Sequence, residues 1–117
     1  MTIQNPLFAP PSEWVCPECI DYKGQSPVAI DLETYDPGIK DHGPGWATGN
    51  GKVVGVALAW EGFKGYFPID HDAPGNYDKK VFMRQFQDLL DRCPEIICHN
   101  AMYDVGWMKR MGMRITS

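Results

Sequence analysis

No stretch of the 117-residue chain is apolar for anything near the length of a bilayer span, which excludes a helical membrane protein. Its N-terminus, MTIQNPLFAPPSEW, has neither a basic start nor an apolar signal core, so a cytoplasmic location is expected. An excess of positive charge is also absent. The formal net charge of −4 argues against a protein that grips nucleic acid mainly through a basic surface, while leaving open contact with phosphate through a bound cation. Cysteine is sparse: Cys16, Cys19, Cys93 and Cys98. Cys16 and Cys19 have the spacing of half a zinc knuckle, but no second Cys-x-x-Cys and no His pair follows to complete a tetrahedral site, so reduced thiols and no zinc are expected. The three histidines, His42, His71 and His99, have no partners at ligand spacing, and Asp70-His71-Asp72 reads as a turn. Gly43-x-Gly45 is not followed by a helix pattern or by a third glycine at the right interval, which rules out a dinucleotide-binding fingerprint.

What is present is 44% hydrophobic residues in a length that suits one domain with a modest core. Residues 1–26, with four prolines and little periodicity, read as an extended arm, and the domain as residues 27–117. The first strand carries AIDLET: Val28, Ile30 and Leu32 fall on one face, Ala29, Asp31 and Glu33 on the other. Two like charges facing one space beside a core are costly unless something pairs with them, and a bound cation would do so. A long Gly- and Pro-rich loop is expected over residues 35–51, with Trp46 either pinning it to the core or stacking on a base. Residues 52–60 (KVVGVALAW) fit a central strand, and Glu61-Gly62 a tight turn into a further strand over 63–69, with Pro68 at the end of an edge. Phe82, Phe86, Leu89 and Cys93 recur at helical intervals over 78–93, Asp78 stands at the N-cap position and Pro94 lies just beyond. A short strand, 95–98, leads directly into His99 and Asn100 and a second helix. Asn100 and Asp104, four apart, share a face at its start, where an anion such as phosphate is favoured; Tyr103 is expected to pack beside Asp104. If 95–98 pairs beside the first strand, Asp104 approaches Asp31 and Glu33.

These residues resemble a known family. Asp31-Leu32-Glu33-Thr34 is similar to the first motif, and Asn100 to Asp104 within HNAMYDVGWM to the second motif, of the DnaQ-like (DEDD) 3′–5′ exonucleases, in particular the proofreading domain of bacteriophage family-A DNA polymerases. DPGIKDHGPGW and GYFPIDH add to the likeness, which spans roughly residues 27–113. The resemblance implies an α/β, ribonuclease H-like fold: a mixed sheet of three antiparallel strands plus a parallel fourth, with flanking helices. It also implies hydrolysis at the 3′ end of single-stranded DNA with two Mg²⁺ or Mn²⁺ ions. In it, Asp31 bridges the ions, Glu33 holds the one that activates water, and Asp104 holds the one facing the leaving oxygen. Leu32 and Thr34 contact the terminal nucleotide, and Asn100 touches the strand or positions Asp104. The family's third motif, a tyrosine or histidine four residues before a fourth aspartate on a helix beyond the second motif, does not occur between Asp104 and Ser117. The implied fold is therefore C-terminally incomplete, with weak activity expected and a polymerase domain or the remainder of the exonuclease domain as partner. The rival expectation is a non-catalytic module of the same fold that binds nucleic acid or a polymerase.

Overall fold

The computed structural model describes residues 20–115. Cys16 and Cys19, and most of the arm expected over residues 1–26, lie outside the described residues. Among the described residues no helix is long and apolar enough to cross a membrane.

Continuous apolar sequence places β2 (Lys52–Trp60) inside the sheet, with Val56, Ala57 and Leu58 at most 1% exposed. It runs antiparallel to β1 (Val28–Tyr35) on one side and to β3 (Phe63–Pro68) on the other. β3 is an edge, where Pro68 costs no ladder hydrogen bond. On the far side of β1, β4 (Ile96–Cys98) pairs in parallel, giving the order β3-β2-β1-β4. The sheet is thus mixed, with three antiparallel strands and a parallel fourth.

Cross-strand register sorts the side chains. Ile30 opposes Leu58, Leu32 opposes Val56, and Val56 opposes Phe67, so these share one face of the sheet. On that face they join the core with Phe82, Phe86 and Leu89 of α3 (Lys79–Arg92) and Trp107 and Met108 of α4 (Ala101–Arg110). The opposite face carries Asp31 beside Ala57 and Tyr66, and Glu33 beside Gly55. Between Glu33 and Thr34 the register shifts, so that Thr34 meets Val53; such a bulge bends the strand just past the carboxylates.

The helices form for local reasons that the periodicity anticipates. Asp78 caps α3 by accepting a hydrogen bond from the Val81 N–H at 3.0 Å, and Pro94 biases Cys93 to extended backbone, which ends it. α4 closes in a Schellman turn: Met113 N–H bonds to Met108 O, Gly112 N–H bonds to Lys109 O, and Gly112 has φ +98°, which glycine adopts without penalty.

The segment expected as one loop over 35–51 instead contains two single helical turns, α1 (Ile39–His42) and α2 (Gly45–Thr48). Four residues are too few to display a period, and tertiary contacts hold them. Gly45 N–H donates to Asp36 Oδ2 at 3.0 Å, and the Trp46 ring lies on Gly106 of α4, where a Cβ would come within 2.3 Å of it. Trp46 thus pins the segment, the first of the two roles expected of it. Tyr22 is also core, packed edge-on against Trp60, with its hydroxyl bonded to Ser26 O.

Candidate functional site

Strand alternation puts Asp31 and Glu33 on the same face, and the register sets Ala57 and Gly55 opposite them, residues too small to cover the carboxylates. Because β4 is parallel to β1 and Ile30 pairs with Cys98, the chain leaves both strands at the same end. His99 and Asn100 then turn it into α4, whose first turn holds Asp104. Asp104 is only 3% exposed.

The electrostatics follow from this placement. Burial pushes the Asp104 carboxyl up to about 6; a hydrogen bond from the Asn100 backbone opposes the rise, the negative charge of Asp31 adds to it, and His99 offsets part. Burial likewise raises Asp31, with His99 pulling it down and Glu33 pushing it up. The Cys98 thiol is driven to about 11 by burial and then by Asp104 and Asp31. Asp31, Asp104 and Cys98 therefore share one field, with Glu33 acting on Asp31. Asp104 Oδ2 is buried and has no hydrogen-bond partner. A buried carboxylate oxygen left bare within the field of a second carboxylate fits a hard cation, which would remove both the desolvation cost and the repulsion. Among the described residues, however, no three His, Cys, Asp or Glu side chains stand close enough together to enclose an ion.

The remaining residues of the two motifs have distinct surroundings. Leu32 packs against the core, on the sheet face away from Asp31 and Glu33. Thr34 Oγ1 is 2.9 Å from Tyr103 Oη, and that hydroxyl donates to Asp36 Oδ2 at 2.8 Å. Tyr103 thus ties the first turn of α4 to the end of β1 and to the segment beyond it, which fixes the backbone that carries Asp104. Asn100 is exposed at the N-cap position; its carbonyl accepts from Asp104 N–H, and its side chain makes no capping bond.

Tyr66 and His71 were not among the expected site residues. Tyr66 reaches across Gly55 so closely that a Cβ there would lie 1.8 Å from its hydroxyl. That hydroxyl is 2.7 Å from His71 Nε2, and the Glu33 carboxylate acts on it. Burial, together with the charge of Glu33, raises the phenol far above its ordinary range. His71 Nε2 is 3.8 Å from Glu33 Oε1. The alternation in the 63–69 strand was legible, but the pairing that brings Tyr66 over to β1 was not.

Over 80 residues the chain is 40% identical to a DNA-directed DNA polymerase of Pseudomonas phage M6. The match takes in 63% of this chain and 12% of that polymerase, so the chain spans only a small part of its relative's length. No family model and no solved structure matches.

Proposed function

We propose that the chain is part of a ribonuclease H-like 3′–5′ exonuclease, the proofreading activity of a phage DNA polymerase, which removes nucleotides from the 3′ end of single-stranded DNA. The observation that carries this reading is the meeting of Asp31 and Asp104, 73 positions apart in sequence, in one buried field with Asp104 Oδ2 bare. The relation to a phage DNA polymerase and the sheet order β3-β2-β1-β4 support it.

In this reading Asp31, Glu33 and Asp104 would hold Mg²⁺ or Mn²⁺, drawn together by the ion, their oxygens being the hard donors such ions take. When bound, two such ions supply an activated water and charge compensation at phosphorus and the leaving oxygen. The chain's own residues supply position. The Tyr103 hydrogen bonds keep the start of α4 against β1, so that Asp104 is held without a side-chain search. Exposed Asn100 contacts the strand and Thr34 lines the approach of the terminal nucleotide, while Leu32, on the core face, supports the strand that carries Asp31 and Glu33.

Mn²⁺ binding by the 117-residue chain, followed by electron paramagnetic resonance, and nucleotide release from a 3′-labelled single strand test the proposal together. The expected result is Mn²⁺ uptake that Asp31→Ala abolishes, with Mn²⁺-dependent shortening from the 3′ end. Mn²⁺ uptake indifferent to Asp31→Ala overturns the site. DNA binding without any shortening favours the non-catalytic module.

A further inference from the structure

Glu33 has two polar side chains from outside its own strand beside it: His71 Nε2 stands 3.8 Å from Glu33 Oε1, and the Tyr66 hydroxyl 2.7 Å from that nitrogen. Tyr66 comes from β3, on the far side of β2 from Glu33. It can reach only because position 55, between them, is glycine; the ring occupies the space a side chain there would fill. His71 comes from the turn after β3, and its backbone is clamped from both sides by Asn76, whose Oδ1 accepts from His71 N–H at 3.0 Å while its Nδ2 donates to His71 O at 3.0 Å.

A carboxylate only accepts, so a Tyr66 hydroxyl turned to Glu33 gives it its single proton, and the hydroxyl oxygen then accepts from the Nε2–H tautomer of His71, 2.7 Å away. The relay runs one way: Asn76 sets the His71 backbone, His71 orients the Tyr66 hydroxyl, and Tyr66 holds Glu33. Such a relay does what outer partners of metal-binding carboxylates do, presenting one oxygen of the ligand in a chosen direction.

We propose that Tyr66 and His71 are positioning residues for Glu33: by holding its carboxylate across Gly55 they set the affinity of the site for a divalent cation. The inference rests on the reading of Glu33 as a metal ligand, and the experiment separates the two. Mn²⁺ titrations of the full chain compare wild type with Asp31→Ala, Tyr66→Phe, His71→Leu and His71→Gln. The Glu33 carboxylate ¹³C signal is recorded on each protein without metal.

Tyr66→Phe and His71→Leu are expected to weaken Mn²⁺ binding about tenfold or more, the lower end of what lost outer-shell partners cost. Their metal-free unfolding midpoints should stay at the wild-type value and their Glu33 signals should move. His71→Gln, which keeps an N–H donor near the place of Nε2, should recover most of the affinity, a rescue that a purely structural role does not predict. Wild-type affinity and an unmoved Glu33 signal in Tyr66→Phe, alongside lost binding in Asp31→Ala, overturn the positioning role and leave the metal site standing. Unchanged binding in Asp31→Ala overturns the metal site and the positioning role with it. Should Tyr66→Phe unfold, equal affinities in His71→Leu and His71→Gln overturn the relay.

Discussion

Replacing Asp104 by Asn is expected to stabilise the metal-free protein, although it removes a residue assigned to the site. The folded carboxyl lies at about 6 against 3.8 for the free side chain, because burial and the charge of Asp31 disfavour its ionised form. A carboxyl raised on folding stabilises the native state at low pH, and that contribution disappears as pH rises from about 4 through about 6. Each pH unit between the two values is worth about 1.4 kcal/mol, so above neutrality the ionised Asp104 costs the wild type about 3 kcal/mol. Asparagine carries no charge at any pH, can still accept the bond from the Asn100 backbone, and can offer its amide to Asp31. The assay is urea unfolding in chelator, followed by tryptophan fluorescence from pH 3.5 to pH 8. The two proteins should be nearly equal at the acid end, with the variant ahead by up to about 3 kcal/mol at pH 8, on the order of 10–20 °C in Tm for a domain of this size. Mn²⁺ should then raise the wild type by mass action and leave the variant where it was. Parallel pH curves for the two proteins, or a variant less stable at pH 8, would show that Asp104 is not held in the strained ionised state described here.

Two further outcomes test the surroundings of the site. Gly106→Ala puts a Cβ into the Trp46 ring, which has only the segment after β1 on which to retreat, so a loss of about 1–3 kcal/mol is expected, read in urea together with a shift in tryptophan emission. Cys98, with its thiol near 11, should resist iodoacetamide at pH 8.5 in the native protein and react readily in urea; Asp31→Asn should speed the native reaction by removing a charge that holds the thiol protonated, as peptide mass mapping of the Cys98 site would record.

Much of the fold was legible because it depends on neighbours in sequence. Period-two alternation put Asp31 and Glu33 on one face of a strand without reference to any other strand. The intervals of Phe82, Phe86 and Leu89, the cap at Asp78 and the break at Pro94 marked out α3 from within its own span. The order of elements followed from the same local signals, whereas the parallel place of β4 beside β1 came with the family resemblance, since a pairing between strands this distant in sequence leaves no mark within either one. The one-turn helices α1 and α2 had no such signal, since a single turn shows no period and theirs is held by Asp36 and by Gly106, the latter 60 positions from Trp46. Nor could the chain alone reveal how costly Asp104 is. Desolvation depends on everything that surrounds a group, and helix spacing says only which way it faces. The reach of Tyr66 to Glu33 belongs to the same class: it needs the register of two strand pairs at once, and a slip of one residue in either would turn the ring to the other face of the sheet. Sequence by itself determined which carboxylates could meet. The packed structure decided their protonation, their partners and the hydroxyl that holds Glu33, because those depend on distances and burial created only when distant segments close on one another.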